Sequence, residues 1–84
     1  MKSYRFTLRY EGKKTSSVDN KIGPIVRKYN GTYESKYNFE DNETIVTVNI
    51  AKKEDKAKFE TDLKSPDFTF LTLERVVLIL DEEE

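Results

Sequence analysis

The chain is 84 residues long, which gives room for one two-layer core and argues against a second domain. Its 15 basic and 16 acidic residues leave a formal net charge of -1, so no overall field draws it to nucleic acid or to an anionic membrane. Hydrophobic residues make up only 36%, but five Tyr and five Phe supply enough large side chains to build a core, which argues against a disordered chain.

Tyr4, Phe6, Leu8 and Tyr10 alternate with Arg5, Thr7 and Arg9, the period of a strand with one buried face. Gly12-Lys13-Lys14 breaks the alternation. Thr15, Ser16 and Ser17 then offer capping hydroxyls, with Ser16 and Asp19 spaced as a capping box. Val18, Ile22, Ile25, Val26 and Tyr29 form one apolar stripe of an amphipathic helix that ends at Asn30-Gly31. Pro24 lies inside that stripe, and because it lacks an N–H and crowds the preceding turn, the helix either kinks there, the favoured reading, or starts at Pro24.

Tyr33, Ser35, Tyr37 and Phe39 alternate with Glu34, Lys36 and Asn38, and Val46, Val48 and Ile50 alternate with Ile45, Thr47 and Asn49. A two-residue turn at Asp41-Asn42 would join them as a hairpin pairing Tyr37 with Val46, Ser35 with Val48 and Tyr33 with Ile50. Residues 52–64 read as a surface helix with Phe59 and Leu63 on a narrow apolar face, stopped by Ser65-Pro66. The apolar segment 68–80, rich in β-branched residues, reads as a fourth strand, and residues 81–84 as an acidic frayed tail.

The order β-α-β-β-α-β with a central hairpin predicts an α+β, ferredoxin-like split βαβ domain over residues 1–84. Right-handed crossovers would order the sheet 4-1-3-2 and place both helices on one face.

The chain has no Cys and no His, which removes disulfides, thiolate nucleophiles, the common transition-metal ligands and the usual neutral-pH general base. Its three glycines, Gly12, Gly23 and Gly31, are too scattered for a phosphate-cradling loop. The acidic residues fall in expected turns, helix faces and the tail, as solvated charges do, and adjacent carboxylates in a tail lack the spacing of a calcium loop. The expectation is a chain without catalytic residues, cofactor or metal. Asn30-Gly31-Thr32 and Asn42-Glu43-Thr44 match a three-residue glycosylation pattern and read as chance. Strand alternation starts at Tyr4, without an apolar signal region or a membrane span of about 20 residues, so the expected location is the cytoplasm.

The sheet face away from the helices is where split βαβ domains stack RNA bases on aromatic residues of the two central strands. Here those positions carry Arg5, Thr7, Arg9, Ile45, Thr47 and Asn49, with no aromatic among them. Arg5, Arg9 and Lys36 remain as candidate phosphate contacts for RNA or single-stranded DNA, although Glu34 interrupts them.

The fourth strand is apolar on both sides. Val76, Leu78 and Leu80 are assigned to the core, which leaves Val77 and Ile79 on the open face with Ile45 and Thr47 as a candidate partner interface. The competing reading is that the C-terminus or residues 68–73 fold back over it. The leading expectation is a non-enzymatic protein-interaction module, pairing with itself as a dimer or with another protein. By analogy alone, it suits a stand-alone inhibitor or regulator of the kind carried by phages and mobile elements, such as anti-CRISPR proteins. A nucleic-acid-binding module and a ligand-sensing dimer are the alternatives.

Overall fold

The computed structural model describes residues 2–80, so the acidic run at 81–84 lies outside the described residues. In chain order the elements are β1 (Lys2–Glu11), α1 (Ser16–Lys28), β2 (Thr32–Asn38), β3 (Glu43–Ile50), α2 (Lys53–Asp62), a 3₁₀ turn (Pro66–Phe68) and β4 (Thr72–Leu80). The strands form one antiparallel sheet in the order β2-β3-β1-β4. This is the ferredoxin-like arrangement expected from the pattern. No helix among the described residues is long and apolar enough to cross a membrane.

Alternation in the central strands sets the two faces. Phe6, Leu8 and Tyr10 of β1 and Val46, Val48 and Ile50 of β3 are buried, and they meet Ile22 and Val26 of α1, Tyr29 at its C-cap and Phe59 of α2. Phe59 stands edge-on to Phe6 with ring centroids 4.8 Å apart, and Tyr29 closes on Phe59 from α1 at 6.4 Å. Both helices therefore cover the same face of the sheet. Burial of each such large side chain stabilises the fold by roughly 1.5–3 kcal/mol.

α1 begins one residue earlier than the capping-box reading places it. Thr15 is the cap, its Oγ1 accepting from the Val18 N–H at 3.3 Å. The helix runs unbroken through Pro24. Pro24 and Asn20 are both exposed, so the helical hydrogen bond that Pro24 cannot make is lost on the solvent side of the helix. At the other end Asn30, not Gly31, takes the left-handed conformation (φ 56°). The Asn30 and Gly31 N–H groups then donate to the carbonyls of Arg27 (3.0 Å) and Val26 (2.9 Å). Gly31 is required for space instead: a Cβ there would lie 2.6 Å from the Asn49 carbonyl oxygen.

The hairpin differs from expectation by two residues. Tyr33 pairs with Val48, Ser35 with Val46 and Tyr37 with Thr44, around a four-residue loop, 39–42. Asn38 explains the longer loop, because its Oδ1 accepts from the Glu40 N–H and its Nδ2 donates to Asp41. Tyr37 also donates to Asn42 Oδ1 at 2.7 Å, and Asn42 takes φ 52°. A shift of two preserves the faces, so Tyr33, Tyr37, Val46 and Val48 still share the helix side.

The segment 68–80 is not one strand. Phe68 is buried at the end of the 3₁₀ turn, and Phe70 packs edge-on against core-facing Tyr10 at 5.8 Å. This stretch therefore closes the helix side and does not fold back over the open face, while the C-terminal alternative falls on residues 81–84, outside the described residues. The helices are tied at their C-terminal ends by the Tyr29 hydroxyl, which donates to Asp62 Oδ2 at 2.5 Å, with Lys28 Nζ 3.6 Å from the same oxygen. The hydrogen bond to Asp62, then burial, holds the Tyr29 pKa above its ordinary value. The Lys28 pKa is also raised, first by its contact with Tyr29 and then by the Asp62 charge.

Candidate interaction surface

The register arranges the open face in cross-strand rows. Lys36, Ile45, Arg9 and Thr72 form one row, Glu34, Thr47, Thr7 and Arg75 the next, and Thr32, Asn49, Arg5 and Val77 a third. Ile79 follows opposite Ser3. The two central strands present no aromatic ring on this face, as the alternation implied.

The three candidate phosphate contacts are not equivalent. Arg9 lies 3.5 Å from Glu43 and 3.5 Å from Glu74, so its charge is compensated within the chain. Arg5 meets only the Asn49 side-chain oxygen, through Nε at 3.4 Å. Lys36 sits two strands from Arg9, beside Ile45. Glu34 shares its row with Thr47 on β3. These residues do not form one basic track.

The candidate partner residues also divide. Thr47, Val77 and Ile79 line a shallow, open groove of about 420 Å³ together with Arg5, Thr7 and Arg75. Ile45 lies in a separate depression of about 360 Å³ with Lys36, Tyr37, Asn38 and Phe39. A single patch joining Ile45 to Val77 and Ile79 is therefore not what the sheet builds. The separation follows from pairing, since Ile45 is opposite Arg9 and Val77 is opposite Arg5, four residues along β1.

β4 is an edge strand, and it carries three of the five exposed large hydrophobic side chains among the described residues. Among the described residues the exposed large hydrophobic side chains are Phe39, Phe70, Leu73, Val77 and Leu78, and the last three lie on β4. Leu78 stands on the helix side opposite Tyr4, where the sequence assigns it to the core, yet it is 49% exposed. Leu73, opposite Leu8, is 41% exposed, and Val77, on the open side, is 39% exposed. The helical layer does not reach over this edge.

A bulge explains how β4 carries charge at one end only. Thr7 pairs with Arg75 but Leu8 pairs with Leu73, so Glu74 is the extra residue, and it turns to Arg9. Beyond Arg75 the strand continues as Val76-Val77-Leu78-Ile79-Leu80 without a charge.

Sequence reasoning missed Arg75 in the groove and the exposure of Leu78 and Leu73. Arg75 was legible from its two-residue spacing to Val77 and Ile79. The thin cover over Leu78 depends on where the helices lie and had no local signal. No family model, curated protein or solved structure matches this chain.

Proposed function

We propose that the protein is a non-enzymatic interaction module that binds another polypeptide along the β4 edge. The observation that carries this reading is the combination of an open strand edge with exposed apolar side chains on both of its faces, Val77 on one and Leu73 and Leu78 on the other. Edge strands present unpaired N–H and C=O groups, and folded proteins usually blunt them with charge or cover. From Val76 to Leu80 neither device is present among the described residues. Added main-chain hydrogen bonds supply affinity in this mode, and side-chain contacts supply specificity.

The nucleic-acid alternative is weaker on two grounds: Arg9 is already paired with carboxylates, and the central strands offer no stacking surface. The ligand-sensing alternative has little to rest on, since the two depressions described above are open and shallow. A chain without cysteine is compatible with any redox compartment, so its composition does not select one.

The test is the pair Val77→Ser with Ile79→Thr. The variant should remain folded by circular dichroism while losing self-association in sedimentation and losing the proteins captured by immobilised wild type. Unchanged association and capture would refute the reading. Global unfolding would refute it too, by assigning both side chains to the core.

A further inference from the structure

We infer that the open face of the sheet carries an anion-binding site centred on Thr7, built to take a small phosphate monoester between the guanidinium groups of Arg5 and Arg75. The site lies on the face of the sheet, and it goes beyond the edge-binding reading above.

The strand register brings its parts together. Thr7 of β1 stands between Thr47 of β3 and Arg75 of β4 in one cross-strand row, and Arg5 lies two residues along β1 on the same face. These four residues, with Val77 and Ile79, line the groove of about 420 Å³. The threonines are half-buried and the arginines exposed, which sets hydroxyls at the base of the groove and long cationic chains around it.

The positive charges are left available. Among the described residues neither Arg5 nor Arg75 has a carboxylate within ion-pairing distance, whereas Arg9, on the same face, has Glu43 and Glu74. Arg5 is held instead by a neutral group. Its Nε donates to Asn49 Oδ1 at 3.4 Å, which orients the guanidinium and leaves its charge and both terminal nitrogens for a ligand. Two carboxylates border the site. Glu74 is turned to Arg9, and Glu34 stands beyond Thr47 on β2, three strand spacings or about 14 Å from Arg75.

This arrangement selects the anion. A carboxylate is planar, and a single guanidinium satisfies it through two parallel hydrogen bonds. Here two guanidinium groups and two hydroxyls converge from three strands, which matches the three terminal oxygens and the charge near about -2 of a phosphate monoester. Val77 and Ile79 continue the groove as an apolar wall for the ester group. A nucleic-acid strand is a poorer match, because it needs repeated phosphate contacts, while Arg9 is already compensated and Lys36 lines the other depression.

Phenyl phosphate is the probe, titrated into the full chain and followed by calorimetry and backbone amide NMR. Binding should saturate at millimolar concentration, with the largest shifts at Arg5, Thr7, Thr47 and Arg75. Arg5→Gln and Arg75→Gln should each weaken it about tenfold and leave the circular dichroism spectrum unchanged. Benzoate, with the same ring and a planar carboxylate, should bind at least about tenfold more weakly. The chain has no histidine, so a fall in affinity from about pH 7.5 to 5.5 would report the second ionisation of the ligand, and that fall is expected. No saturation, shifts centred elsewhere, or arginine variants that bind like wild type would overturn the site. Equal binding of benzoate, or affinity unchanged across that pH range, would overturn the phosphate assignment. A single-stranded oligonucleotide that binds more tightly than phenyl phosphate, and is weakened by Lys36→Gln, would overturn the small ligand in favour of nucleic acid.

Discussion

The two edges of the sheet are built from the same kind of element and end differently. β2 is seven residues long, and its open face carries Glu34 and Lys36 at its centre. β4 is nine residues long, and past the bulge at Glu74 and the following Arg75 it is wholly apolar. Charge on an edge discourages pairing with another strand, because a second strand would strip water from it. The contrast shows one edge closed by its side chains and the other left open, within a sheet whose common core gives no reason for the asymmetry.

The comparison collapses if the shared core is misplaced, so the largest effect is expected at Val48. It is fully buried on β3, opposite Phe6 and Tyr33. Val48→Asp places an unpaired carboxylate there, at a cost of several kcal/mol against a total stability of about 5–15 kcal/mol. The variant should be unfolded by circular dichroism at room temperature. A cooperative urea transition close to that of wild type would mean that the core lies elsewhere.

A smaller effect is expected where the chain enters the closed edge. Gly31→Ala drives a Cβ toward the Asn49 carbonyl oxygen, so the α1–β2 connection must shift. Destabilisation of about 1–3 kcal/mol is expected from such overpacking. Urea denaturation checks it, and an unchanged midpoint would show that the close approach is not needed.

Between the helices, Tyr29→Phe removes the hydroxyl that donates to Asp62 and should cost about 1–2 kcal/mol. Both Tyr29 and Lys28 have pKa values raised in the folded chain. A raised pKa means that the protonated form is favoured by folding. Its contribution is therefore complete below the usual values near 10 and is lost as pH rises through the folded values. Thermal unfolding of the wild type should fall above about pH 10, and Tyr29→Phe should fall less steeply over that range. Parallel curves would remove the hydroxyl from the account.

The smallest stability effect, and the sharpest contrast in association, is expected between the edges themselves. Val77→Ser with Ile79→Thr on β4 and Glu34→Ser with Lys36→Ser on β2 change partly or wholly exposed side chains. Each pair should alter stability by less than about 1 kcal/mol. Only the β4 pair should abolish association in sedimentation.

Much of the architecture was legible because the pattern signals are local and agree with one another. Alternation in 4–10 and 45–50 and the stripe from Val18 to Tyr29 each fix a face, and their order fixes the topology. What was not legible arises from contacts within loops or between layers. The hairpin register moved by two because the Asn38 side chain organises a four-residue loop, which the Asp41-Asn42 pair alone does not reveal. The bulge at Glu74 is invisible in hydropathy, yet it lets both Leu73 and Val76 face the helix side despite their odd separation. The division of Ile45 from Val77 needed the register of β1 against both neighbours.

Amide hydrogen exchange, followed residue by residue at low and high protein concentration, tests the unequal edges most directly. Exchange at β4 amides should slow as concentration rises, while β2 amides exchange at the same rate throughout. Identical, concentration-independent exchange at both edges would contradict the account.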